Sequence, residues 1–304
     1  MPNINKNLHK AKKEKDDNFY TLYEDIAKEL IHYEKHFENK VVYCNCDDPR
    51  ESNFVRYFIN NFQKLKLKKL IATCYQKNYN NEIKKGLLLE YSGEKIKDLS
   101  ELKIQELKGD GDFRSEECIE FLKKADIVVT NPPYSLFRQF IDILFKYNKF
   151  FLIVGSLNVV TYKNVFEKIK ENKIIIGENT ITHFLTNDKK LKHVTSWWLT
   201  NIHYNKNYKF LKLNTMSYNL KYNKNIKNNP NAYKKYDNFN AIEVPRYTAI
   251  PSDYDGAMGV PITFLEKYNP EQFEIIHFRK GDDGKDLNIN GKYLYCRIII
   301  KHKK

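Results

Sequence analysis

The stretch Asp126-Ile127-Val128-Val129-Thr130-Asn131-Pro132-Pro133-Tyr134 sets the reading of the whole chain. Apolar and β-branched residues in a row, cut off by consecutive prolines, describe a short buried strand that stops at a turn. The prolines fix φ and carry no N–H, so no strand can run past Asn131. An amphipathic helix is expected next, over 136–147. The unit is therefore strand, rigid polar turn, helix.

The same grammar extends outward. Residues 41–46 read as a strand ended by Asp47-Asp48-Pro49-Arg50, and Ser52 is a fair N-cap for a helix over 53–62, which has Phe54, Phe58 and Phe62 on one face. A helix over 22–37 precedes it, with Ile26, Leu30 and Tyr33 at helical spacing. Residues 69–74 form a second strand, and 87–91 with 96–107 form a hairpin turned at Ser92-Gly93. Helices are expected over 116–124 and 162–170, and strands over 150–154, 173–177 and 194–202. Strands alternating with helices predict an α/β fold with a mostly parallel, doubly wound sheet. In such sheets ligands bind beyond the carboxyl ends of the strands. The unusual loops 47–50 and 131–134 both sit at such ends.

Composition changes near residue 205. Residues 205–240 hold eight lysines, five tyrosines, eleven asparagines and one acid. That suits a linker or a nucleic-acid surface better than a core. Apolar content returns after residue 243, so a domain over 1–204 and a second region over 205–304 are expected. The net charge of +14 suits a polyanionic partner, although the Lys, Asn and Ile bias is also what an AT-rich genome produces. The N-terminal arm has five lysines between Lys6 and Lys15. It lacks the apolar segment of a secretory signal, and no run approaches the ~20 apolar residues needed to span a bilayer. A soluble cytoplasmic protein is expected. The five cysteines, at 44, 46, 74, 118 and 296, form no C-x-x-C pair. They read as free thiols, with neither a metal nor a redox centre. His32 and His36 share a helical face, but no third ligand accompanies them.

Asn131, Pro132 and Tyr134 are the candidate catalytic residues. The Asn131 side-chain oxygen and the Pro132 carbonyl offer two acceptors, and Tyr134 offers a ring on which a planar group can stack. As a bare tetrapeptide the turn is only moderately specific; between an apolar strand and a helix it is strong.

Asn131-Pro132-Pro133-Tyr134 resembles the catalytic motif of amino-methyltransferases that use S-adenosylmethionine. Longer runs resemble the EcoRI-type adenine-specific DNA methyltransferase family: Val41-Val42-Tyr43-Cys44-Asn45-Cys46-Asp47-Asp48-Pro49, the run from Asp126 to Phe140, and Gly256-Ala257-Met258-Gly259-Val260-Pro261-Ile262-Thr263-Phe264-Leu265. The resemblance covers the chain from about residue 12. It implies a Rossmann-like methyltransferase core, S-adenosylmethionine as cofactor, and a C-terminal target-recognition region. It also implies double-stranded DNA as partner and transfer of a methyl group to the N6 amine of a flipped-out adenine. The enzyme would act alone or beside a cognate restriction endonuclease.

The same resemblance implies cofactor contacts. Asn18-Phe19-Tyr20-Thr21 is similar to a motif that holds the methionine end, with an ordinary helix cap by Thr21 as the alternative. Asp47 or Asp48 would meet the cofactor's amino group, the other being a turn acid. Gly109-Asp110-Gly111-Asp112-Phe113 is similar to the motif whose acid, here Asp112, accepts the cofactor adenine's amine while Phe113 packs on its ring; the alternative is a flexible acidic turn. Asn131 lies close to both ligands. The family's Gly-x-Gly is missing after the first core strand, and the second strand ends Cys74-Tyr75 without a ribose-binding acid. RNA adenine and protein glutamine remain the alternative substrates. Trp197 and Trp198 read as core, and Arg246, Arg279 and Arg297 as candidate guanine readers.

Overall fold

A computed structural model describes residues 19–76, 84–186, 188–206, 208–279, 287–294 and 296–303. The N-terminal arm and Asn18 lie outside the described residues. The chain divides into two units: one holds the residues up to Val165 with Asn172–Tyr204, the other holds Phe166–Glu171 with everything from Asn205 onward.

The first unit is built on a nine-stranded sheet. Its strands are β1 (Tyr20–Thr21), β2 (Val41–Cys44), β3 (Lys69–Cys74), β4 (Leu87–Tyr91), β5 (Ile104–Glu106), β6 (Ile127–Thr130), β7 (Phe150–Ser156), β8 (Ile175–Leu185) and β9 (Leu191–Thr200). The spatial order is β1-β8-β9-β7-β6-β2-β3-β4-β5. The four central strands, β7, β6, β2 and β3, run parallel, as the α/β reading requires. Antiparallel strands extend the sheet at both ends. β2 and β6 are buried along their whole length, as strands covered on both faces must be. Asp126 locks them in register: its carboxylate accepts the Val41 N–H at 2.8 Å, and its own N–H donates to the Val41 carbonyl at 2.9 Å.

Helices follow the strands as expected. Asn53–Asn60 is capped by Ser52, whose side chain accepts the Phe54 N–H. Glu116–Lys124 is capped in the same way by Ser115. Phe137–Lys146 buries Phe137, Phe140, Ile141 and Leu144. The expected helix over 22–37 is α-helical over Tyr23–Leu30 and tightens to a 3₁₀ helix over Ile31–His36. Trp197 and Trp198 are both fully buried.

Two expectations needed correction. Only Ile104–Glu106 pairs with β4, so the strand expected over 96–107 is mostly connection: Asp98 caps a 3₁₀ turn at Leu99–Glu101 instead. The strand expected over 173–177 runs on to Leu185 as one arm of a long hairpin with β9. A register shift in β8 between Ile176 and Thr180 is filled by Glu29, a fully buried carboxylate. It accepts the Glu178 N–H at 2.9 Å, the Asn179 N–H at 2.8 Å and the Tyr33 hydroxyl at 3.1 Å. Gly177 is obligatory there, because a Cβ would lie 2.2 Å from that carboxylate.

The second unit carries a four-stranded sheet, β10 (Ile242–Glu243), β11 (Met258–Pro261), β15 (Arg297–His302) and β12 (Phe273–Arg279), in that order, and a two-stranded ribbon, β13 (Asn288–Ile289) and β14 (Lys292–Tyr293). The run from Gly256 to Leu265 supplies β11, an inner strand of this sheet. Gly259 is where the Tyr236 ring passes over the sheet, a Cβ there falling 2.0 Å from the hydroxyl. The charge at the centre of this unit is paired. Glu243 is 2 % exposed and takes the Arg297 guanidinium through Nε at 3.0 Å and a terminal nitrogen at 2.9 Å, together with the Tyr236 hydroxyl. Arg297 is thus a structural residue whose fork is already engaged, not a reader of guanine. Among the described residues no helix is long and apolar enough to cross a membrane.

Candidate active site

The turn after β6 and the loop after β2 lie side by side, because their strands are neighbours in the sheet. Asn131 takes its orientation from the far end of the sequence: its Nδ2 donates to the Phe19 carbonyl at 2.6 Å. A carbonyl can only accept, so this bond fixes which end of the amide is which. The other end, Oδ1, is buried and has no hydrogen-bond partner. A buried acceptor without a donor costs on the order of 1–3 kcal/mol, and at a strand end it can be satisfied by a ligand N–H.

Pro132 is buried, and the Pro133 carbonyl takes the Leu136 N–H as the chain enters the next helix. The Tyr134 ring stacks on Phe19, with centroids 5.8 Å apart and planes 23° from parallel. Its hydroxyl lies 3.0 Å from Ser196 Oγ on β9. Phe19 in turn meets Phe184 edge-on, and the Lys192 ammonium sits 4.9 Å from its ring centre.

Asp47 stands at the centre of a closed ring of hydrogen bonds. It is 8 % exposed and accepts the Ser52 hydroxyl at 2.7 Å and the Thr130 hydroxyl at 2.5 Å. Ser52 leads to Asn53, whose Nδ2 donates to the Thr21 carbonyl at 2.8 Å. Thr130 leads to Asn131, which returns to Phe19. Asp47 therefore ties the loop after β2 to the turn after β6, and both to the segment 19–21. Burial pushes its carboxyl up to about 6, against the pull of the Thr130 and Ser52 hydroxyls.

Asp48 and Asp112 share one arrangement. Asp48 accepts the Arg50 N–H and Nε, both at 2.9 Å, and Asp112 accepts the Arg114 N–H at 2.8 Å and Nε at 2.9 Å. In each case a terminal guanidinium nitrogen reaches the second oxygen. Burial raises the Asp48 carboxyl, but Arg50 outweighs it and holds the group below the ordinary range. Arg114 does the same for Asp112 against its partial burial. Gly111, at φ +82°, brings Asp112 beside the end of β3, for a Cβ there would lie 2.1 Å from the Cys74 carbonyl. The close approach made by this glycine is thus to the protein's own strand. Phe113 is 5 % exposed and packs edge-on against Phe140.

The residues picked from the sequence thus fall into two groups. Phe19, Thr21, Asp47, Asn131 and Tyr134 are joined by direct contacts or the hydrogen-bond ring, with Tyr20 between Phe19 and Thr21 in β1. Asp48, Asp112 and Phe113 stand at neighbouring strand ends, each already in contact with protein groups. Thr21 does not cap the first helix: the cap position is Leu22, and the Thr21 hydroxyl is buried without a partner. Ser52, Asn53, Thr130 and the two arginines were missed as site residues. The repeated Asp-x-Arg spacing, at 48–50 and 112–114, was the legible signal for the arginines. Asn45 was quoted only as part of a longer run. It is 3 % exposed, one residue past β2, and its Oδ1 likewise lacks a partner.

A family model described as "Adenine-specific methyltransferase EcoRI" matches residues 7–303. The Type II methyltransferase M.EcoRI of Escherichia coli is 48 % identical, with 99 % of this chain and 97 % of that protein covered. The Type II methyltransferases M.MgeORF184P of Mycoplasma genitalium and M.MpnI of Mycoplasma pneumoniae are 38 % and 34 % identical, each with 98 % of this chain covered. They are covered over 99 % and 98 % of their own lengths. No solved structure matches. The chain belongs to the EcoRI adenine-specific methyltransferase family.

Proposed function

We propose that this member of the family transfers a methyl group from S-adenosylmethionine to the N6 amine of an adenine that has been turned out of duplex DNA. The observation that carries the reading is the Asn131 amide, pinned through Nδ2 with a buried, unpartnered Oδ1 beside an aromatic ring.

The amine of adenine is a weak nucleophile, because its lone pair is delocalised into the ring. It needs two acceptors that draw the nitrogen toward tetrahedral geometry more than it needs a strong base. Asn131 Oδ1 accepts one N–H and the Pro132 carbonyl accepts the other. The rigid prolines and the Phe19 carbonyl hold both acceptors in place before substrate arrives, so no reorganisation is required at the moment of reaction. Tyr134 presents its ring to the extruded base.

The residues present suit the cofactor. Thr21 Oγ1 and Asn45 Oδ1 are buried without partners near the strand ends and can bond its polar methionine end. Asp48 and Asp112 offer anionic oxygens at the ends of β2 and β3, each held by its arginine, Asp48 to the cofactor's amino group and Asp112 to the amine of its adenine. When bound, S-adenosylmethionine supplies the methyl group as an electrophile on a sulfonium centre. Asp47 orients rather than contacts: it is buried and tied to Ser52 and Thr130, whereas the Asp48 and Asp112 side chains, though engaged by their arginines, keep 18 % and 23 % of their surface exposed.

The lysine-rich second unit meets the DNA. A companion endonuclease that cuts the same sequence would complete a restriction–modification pair. The test is product analysis. Purified enzyme, methyl-labelled cofactor and mixed-sequence duplex DNA should yield labelled N6-methyladenine after digestion to nucleosides. Label on cytosine, or only on RNA or protein glutamine offered in parallel, would overturn the reading.

A further inference from the structure

The helix Met216–Tyr222 is amphipathic in the wrong sense. A surface helix normally buries its apolar side and exposes its polar one. Here Asn219 is fully buried, while Tyr218, Leu220 and Tyr222 are 49 %, 44 % and 55 % exposed. The helix is held to the second unit by polar bonds. Asp253 accepts the Met216 N–H at 2.7 Å, beside the helix's own N-cap, Thr215. Asn219 Nδ2 lies 3.4 Å from the Ala249 carbonyl, and Asn223 Nδ2 donates to the Thr248 carbonyl at 3.2 Å. Ile226, fully buried just past the helix, adds an apolar anchor. The tyrosines are therefore presented on a fixed mount. Their rings lie 4.8 Å apart with planes 45° from parallel, and the Lys221 ammonium is 5.1 Å from the Tyr222 ring centre.

We infer that this helix contacts the bases of DNA, with the Tyr218–Tyr222 ring pair, which shares one helical face, as its contact surface. The inference rests on the DNA reading above and extends it to named residues. Charge complementarity selects the partner. Lys221 lies on the helix and Lys209, Lys212, Lys224 and Lys227 flank it in sequence, all exposed, while Asp253 is already engaged at its N-terminus. A second copy of the chain would set these lysines against one another. Duplex DNA offers phosphates to the lysines and unstacked or groove-exposed bases to the rings. Lysines alone would track the backbone; the ring pair reports on bases.

The two kinds of contact separate by salt. Phosphate contacts release counterions and give the affinity its salt slope, whereas stacking does not. The probe is a short duplex centred on an adenine that the wild-type enzyme has been shown to methylate. The double variant Tyr218→Ala/Tyr222→Ala should bind it tenfold or more weakly, with the salt slope unchanged and the unfolding midpoint close to wild type. Tyr218→Phe/Tyr222→Phe should restore most of the loss, because the rings return. Lys221→Gln/Lys224→Gln should flatten the slope instead. Binding by the double alanine variant within twofold of wild type, while wild type still methylates the duplex, would overturn the assignment of this helix alone. So would a wild-type dimer in sedimentation that the same variant converts to monomer, since the face would then belong to a second copy. A wild-type enzyme that methylates no duplex would instead overturn the DNA reading on which the assignment rests.

Discussion

The two units leave different things unsatisfied. Both bury polar atoms without a partner: Asn131 Oδ1, Thr21 Oγ1, Asn45 Oδ1 and Trp198 Nε1 in the first, Asn219 Oδ1 and Asn269 Nδ2 in the second. In the first, three of them are acceptors on residues at or beside strand ends; the second also presents tyrosines and a leucine to solvent on a helix held by asparagines. Isolated buried acceptors can be satisfied only by small polar groups that enter a dry site. An exposed ring pair among lysines suits a large anionic partner with planar groups. A small methyl donor with one extruded base fits the first, and a nucleic-acid duplex fits the second.

Charge inverts that contrast and gives the largest expected effect. In the second unit Glu243 and Arg297 are sealed against each other. Glu243→Ala would leave a guanidinium and the Tyr236 hydroxyl buried without a partner. Such a loss should cost about 3–5 kcal/mol of stability in denaturant unfolding. A cost below about 1 kcal/mol would mean that the pair is solvated, as surface pairs are, and the contrast between a sealed and an open unit would weaken.

In the first unit the buried carboxylate of Asp47 has hydroxyls rather than a cation for company. Its folded-state value, about 6, lies above the ordinary 3.8. The stability it contributes is therefore complete below pH 4 and is lost as pH rises through 6. The loss amounts to roughly 3 kcal/mol. Asp47→Asn removes the titration, so the variant should gain on wild type in unfolding free energy between pH 4 and pH 7.5. Parallel pH profiles for the two proteins would show that Asp47 titrates normally and is not sealed.

Tyr134 sharpens the comparison on the open side of the first site. Tyr134→Ala should cost about 1–3 kcal/mol of binding to substrate duplex, the scale of one lost stacking contact. Tyr134→Phe keeps the ring, loses the hydroxyl contact with Ser196 and should keep most activity. Equal losses in single-turnover assays of the two variants would assign the effect to that hydroxyl instead of the ring.

Much of this was legible in the sequence where one residue run settles one element. Apolar runs closed by a turn gave β3 and the helix Glu116–Lys124 with the bounds expected of them, and Ser52 was readable as a cap. The β8–β9 hairpin was underestimated for a physical reason. Beyond the parallel centre its strands are antiparallel and partly solvated, so Glu178–Leu185 mixes buried and exposed side chains and lacks the continuous apolar signal of β6. The site was half legible. Asn131 stood out through its prolines. The Phe19 carbonyl that orients it is 112 residues away in sequence, and no local pattern announces it. Ser52 and Thr130 were each visible in another role, as a cap and as a strand end, and only folding brings their hydroxyls onto Asp47. The Asp-x-Arg pairs show the reverse case: the spacing was plain, while the engagement of both carboxylates required coordinates.

The proposed chemistry turns on one amide. Asn131→Ala removes the pinned acceptor and leaves the rest of the hydrogen-bond ring in place, because Thr130, Asp47, Ser52 and Asn53 make their bonds without it. The decisive measurement is the single-turnover rate of methyl transfer to adenine-containing duplex, with cofactor and DNA affinities measured on the same preparation. A rate lower by about 10²–10³, with both affinities close to wild type, is the expected result. A near-wild-type rate would mean that Asn131 serves the turn alone and that the adenine amine is activated elsewhere.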